Sequence, residues 1–118
     1  MYMIFFVLHN TELSKDIMDA WQAAGVNGVT ILASTGLARI KEVFLRDDLP
    51  LIPNFDEIMS HTDEALNRTF ITIVQDDVMV ERVIAATESI TGDLDLPNTG
   101  ILAVLPLVRV HGLNRKKL

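Results

Sequence analysis

The chain has no cysteine in its 118 residues, which excludes disulfides, thiolate zinc centres and cysteine nucleophiles together. It is also short of positive charge: 10 Lys and Arg against 16 Asp and Glu give a formal charge of -6. No broad cationic face can then displace counterions from phosphate, so neither nucleic acid nor an anionic membrane is an expected partner. The one basic run, Arg115-Lys116-Lys117, reads as a solvated tail. No apolar run is long enough to cross a bilayer. The opening MYMIFFVLH lacks a basic leader region and runs straight into a helix-capping sequence, so it reads as a buried first strand. No membrane insertion and a cytoplasmic location are the expectation. Ser14, Ser34, Ser60 and Ser89 stand in no nucleophile-elbow surroundings, which leaves serine catalysis without support.

Hydrophobic residues make up 49% and charged residues 22%, enough for one core with apolar surface left over for a subunit interface. Tyr2 to Leu8 is a nearly unbroken apolar run that suits a central strand. After His9-Asn10-Thr11, Leu13, Ile17 and Trp21 recur every fourth residue, which predicts an amphipathic helix capped by Asn10 or Thr11 and closed by Gly25. Val29 to Ser34 then alternates as a second strand. The pattern repeats: Thr69 to Val74 as a strand, Asp76-Asp77 as a cap, Val80, Val83, Ile84, Thr87 and Ile90 as a helical stripe, Gly92 as its end. Ile101 to Val110 follows as a strand interrupted at Pro106. Two strand-helix-strand halves with right-handed crossovers build an α+β, ferredoxin-like βαββαβ sandwich, an antiparallel sheet with two helices on one face. That fold hosts sensors, RNA binders, acylphosphatases and metal carriers, so it does not select a function. The stretch from Ile40 to Asn67 separates strands two and three by far more than a hairpin needs and reads as a functional loop.

Three segments resemble the PII-like members of the nitrogen-regulatory PII superfamily. GVNGVTILASTGLAR, Gly25 to Arg39, is similar to the family's second strand and its exit into the T-loop, with Gly36-Leu37-Ala38-Arg39 at the turn. VQDDVMVERVIAATESITG, Val74 to Gly92, is similar to the third-strand exit, paired acids and second helix. Val108-Arg109-Val110-His111 resembles the closing strand, where the family places two arginines two residues apart. The resemblance implies a non-enzymatic signalling protein: a homotrimer that binds a small-molecule effector, an adenine nucleotide, in the clefts between subunits and signals to a partner protein through residues 40–67. It needs no resident cofactor. Ligand-binding residues would be Thr30 near the base, Gly36, Leu37, Ala38 and Arg39 at the T-loop root, and Arg109 on phosphate, with His111 in place of the second arginine. The domain spans 1–112 and the basic tail 113–118.

The departures are informative too. Where the family has a Gly-Asp-Gly-Lys phosphate loop, this chain reads Gly92-Asp93-Leu94-Asp95-Leu96-Pro97-Asn98-Thr99-Gly100, without the lysine and with two acids. A less charged adenine nucleotide, or another small ligand, fits that region better than ATP. The only tyrosine is Tyr2, so uridylylation of the loop is excluded, and Asn67-Arg68 stands where 2-oxoglutarate chemistry would need lysine.

The rival from another class is a divalent-metal-binding trimer of the copper-tolerance type, to be built from His9, His61 and His111 gathered by the fold, since none has local metal-site spacing. An ACT-like module would accompany an enzyme domain. An acylphosphatase would need an arginine-bearing loop where His9-Asn10-Thr11-Glu12 stands. Asp93 and Asp95 with Asn98 and Thr99 lack the glycine and glutamate of an EF-hand and read as a solvated turn.

Overall fold

A computed structural model describes residues 1–36 and 67–113. Leu37, Ala38, Arg39, the 40–66 part of the expected loop and residues 114–118 lie outside them.

Four strands and two helices alternate as expected: β1 Tyr2–Leu8, α1 Ser14–Ala24, β2 Thr30–Ser34, β3 Asn67–Val74, α2 Asp77–Thr91 and β4 Gly100–Pro106. The sheet order is β2-β3-β1-β4, and every neighbouring pair is antiparallel. This is the ferredoxin-like arrangement, and period-two alternation along its central strands decides which side is covered. Ile4, Phe6 and Leu8 of β1 are fully buried, with Phe70 and Val74 of β3, against Ile17 and Trp21 of α1 and Val80 and Val83 of α2. Both helices therefore cover one face.

Capping explains where the helices sit. Asn10 accepts from Glu12 N at 3.2 Å and opens a 3-10 turn, Thr11–Leu13, ahead of α1. Gly25, at φ 108°, closes α1 in the left-handed conformation that a side chain would resist. Asp76 accepts from Met79 N at 2.9 Å and caps α2, so the paired acids start a helix and are not an acid/base dyad. Trp21, Phe6 and Phe70 form one aromatic cluster with centroids 5.8–6.2 Å apart. The indole N–H of Trp21 donates to Thr87 Oγ1 at 2.8 Å, and that hydroxyl donates to Val83 O at 2.7 Å. Satisfying the one polar atom lets the largest side chain occupy the centre, where each buried apolar side chain contributes about 1.5–3 kcal/mol.

The last strand corrects the sequence reading. It ends at Pro106 rather than running on to Val110. Its last ladder pair is Pro106 with Tyr2 of β1, followed by a single further bond, from Leu107 N to Met1 O at 3.0 Å. Val108, Arg109, Val110 and His111 consequently belong to an irregular segment beyond the sheet. At its other end β3 is longer than the apolar pattern suggested, beginning at Asn67 because β2 supplies ladder partners as far as Ser34.

The face of the sheet away from the helices stays apolar and open. Phe5, Leu32, Ile101 and Leu105 are 37%, 49%, 62% and 46% exposed, more than scattered surface hydrophobes account for in an isolated monomer. None of the helices among the described residues is long and apolar enough to cross a membrane.

Candidate functional site

The site begins where β2 stops short. Its pairing to β3 runs from Ser34↔Asn67 to Thr30↔Ile71, so along Thr72–Val74 the side of β3 that faces β2 has no ladder partner among the described residues. Backbone N–H and C=O groups at such an edge are strong, directional sites for a ligand. The chain between α1 and β2 bows away here instead of pairing. One bond pins the bow: Thr72 Oγ1 donates to Gly28 O at 2.6 Å.

A groove of about 660 Å³ results, with Gly25–Thr30 as one wall, Ile71–Gln75 as the other, and Met79 and Leu113 at its margin. That volume suits a drug-sized or nucleotide-sized ligand. Among the described lining residues no side chain is charged: Val26, Val29, Ile71, Ile73, Val74, Met79 and Leu113 supply apolar surface, while Asn27, Thr30, Thr72 and Gln75 supply neutral polar atoms. Gly28 leaves open space, for a Cβ there would meet nothing within 4 Å. Such walls suit a flat, neutral group with a hydrogen-bonding edge.

Thr30 is an exposed lining residue of this groove. Arg109 and His111 are exposed on the segment that leaves β4 at the same end of the sheet. Because β4 and β2 are opposite edges, and Leu113 reaches the groove, this segment crosses the end of the sheet as a strap. Gly36 stands elsewhere. It follows Ser34, which pairs with Asn67 at the start of β3, so the eight residues of β3, roughly 25 Å of strand, separate it from the groove end. The loop 92–100 is at Gly36's end too, since Gly100 pairs with Leu8. One chain thus brings Thr30, Arg109 and His111 to one end and Gly36 to the other.

Sequence reasoning missed most of the groove. Its signal was Gly25 and Gly28 flanking Val26-Asn27, a pair of glycines read only as a helix cap and a family landmark. Met79, Gln75 and Leu113 carried no local signal, because they join the site only through the fold. For the metal alternative, no group of three or more His, Asp or Glu side chains that could hold an ion occurs among the described residues; His9 follows β1 at the Gly36 end and His111 lies at the groove end, while His61 is outside the described residues.

No family model matches the sequence, and no curated protein does. Among solved structures the chain is similar to a PII-like signaling protein from Thermus thermophilus, with a TM-score of 0.57 over 88% of this chain and 83% of that one, at 18% identity. At that identity the likeness is one of fold.

Proposed function

We propose that this chain is a PII-like regulatory protein, which binds an adenine nucleotide or related small ligand in clefts between identical subunits and does no chemistry on it. The observation that carries the reading is the uncharged groove where β2 stops short of β3, at the opposite end of the sheet from Gly36. If Thr30, Arg109 and Gly36 serve one ligand, two copies must supply them, the groove and strap of one meeting the Gly36 end of the next. Such head-to-tail contacts are heterologous and close into a ring, here a homotrimer by resemblance. The open sheet face, with Phe5, Leu32, Ile101 and Leu105 exposed, supports burial against other copies.

In this reading the base lies along the Thr72–Val74 edge and Arg109 meets phosphate. Residues 40–67 report occupancy to a partner protein in the cytoplasm. The ligand shifts that segment between populations only as far as its affinity differs between them. Calorimetric titration with ATP, ADP, AMP, cyclic AMP and cyclic di-AMP, with light scattering on the same sample, tests the reading. Saturation at one ligand per chain, in a particle of three 13.1 kDa chains, is expected, and Arg39→Ala and Arg109→Ala each weaken binding. Unchanged affinity in both variants contradicts the site.

A further inference from the structure

The loop that follows α2 turns four of its backbone N–H groups onto its own chain. A loop that cradles phosphate does so with backbone N–H groups aimed outward. Here Leu94 N donates to the carboxylate of Glu88 at 3.1 Å and Asp95 N to the carboxylate of Asp93 at 2.9 Å. Leu96 N donates to Asp93 O at 3.1 Å and Gly92 N to Glu88 O at 2.8 Å, while residue 97 is a proline and has no N–H. Thr99 turns its hydroxyl inward as well, donating to Leu94 O at 3.2 Å and Leu96 O at 3.0 Å. Two of the chain's own carboxylates thus sit on amides of this loop, and Asp93 and Asp95 are exposed at its surface. No Lys or Arg occurs between Glu88 and Gly100 to offset them.

The two ends of the shared cleft therefore ask for different things. The groove end offers an uncharged wall with a backbone edge, and the strap Leu107–Leu113 adds a single permanent cation, Arg109. The loop end exposes Asp93 and Asp95, and its Gly92, Leu94, Asp95 and Leu96 amides already have acceptors. We infer that the ligand is a nucleobase compound carrying at most one phosphate, held by its base in the Gly25–Thr30 groove, with the 92–100 loop excluding a di- or triphosphate. This rests on the shared cleft proposed above. Each further phosphate brings negative charge toward Asp93 and Asp95, where like-charge repulsion grows as water is removed.

Titration of the full chain with adenosine, AMP, ADP and ATP at low and moderate ionic strength decides the matter. Adenosine or AMP should bind on the order of tenfold or more tighter than ATP, with the gap widest at low salt. Asp93→Asn and Glu88→Gln keep an oxygen acceptor for the same amides and remove the charge; in each, the ratio of ATP to adenosine affinity should rise several-fold. ATP binding as tightly as AMP in the unaltered protein, or a ratio unmoved in both variants, overturns the inference while leaving the shared cleft standing. If none of the four binds, the inference falls, and the cleft is judged by the cyclic nucleotides titrated above.

Discussion

The two ends of this sheet solve the same problem, how a strand finishes, in opposite ways. At the Gly36 end polar groups largely find partners within the chain: Ser34 Oγ and Thr69 Oγ1 are 2.7 Å apart and the 92–100 loop bonds to itself, while the buried Asn67 Oδ1 has no partner among the described residues. Gly100 lies so close that a Cβ would meet Val7 O at 2.5 Å. At the other end β2 starts late, β3 has no ladder partner on one side along Thr72–Val74 among the described residues, and a groove remains whose wall is tied to β3 by Thr72 Oγ1→Gly28 O. Satisfied ends give stability and open ends give binding, because an unpaired backbone group gains most from a partner that arrives later.

That contrast can be broken from either side. Gly28→Phe puts a ring into open space at a residue without positive φ, so it should fill the groove and cost about 100-fold or more in ligand affinity, equivalent to roughly 2.7 kcal/mol. Stability should move by no more than about 0.5 kcal/mol; a large fall in denaturation midpoint, with binding intact, would reverse the roles given to the two ends. Gly100→Ala is its counterpart. With φ at 150° and Val7 O in the way, it should lose about 1–3 kcal/mol in chemical denaturation and leave the unaltered groove able to bind.

The smallest effect sharpens the groove end. The Tyr2 phenol hydrogen-bonds to Asp77 beside the start of α2, and this bond, the Asp77 charge and burial raise it above its ordinary 10.0. A raised phenol favours the neutral form in the folded state, so its contribution is fully present below about pH 10 and is lost as pH rises through the folded value. Denaturation midpoints followed from about pH 8 to pH 11 should fall more steeply for the native chain than for Tyr2→Phe. Parallel curves would show that the Asp77 contact adds nothing.

How much of this was legible beforehand follows the same division. The core was readable because its signals are periodic: Ile17 and Trp21 on α1, and Val80, Val83 and Thr87 on α2, are buried where spacing alone placed them. Gly25 and Asp76 announce their helix ends by chemistry that needs no partner from afar. The groove was not readable in this way. It exists because β2 begins at Thr30 and not at Val29 or earlier, a difference of register that sequence pattern does not fix. Leu113 and Met79 reach it from distant parts of the chain. Arg109 looked like a strand residue because Val108 and Val110 alternate with it. The ladder with β1 ends sooner, at Pro106 opposite Tyr2.

The central claim is that one ligand site is made from two copies, and complementation tests it most directly. Gly28→Phe fills the groove half and Gly36→Phe the opposite half, so neither variant alone should bind well. Co-assembled in equal amounts, random mixing leaves about one cleft in four with both halves intact, and titration should recover roughly that fraction of sites at native affinity. No recovery, from a mixture shown to exchange subunits, would mean that each chain carries its whole site, and the shared cleft would be wrong.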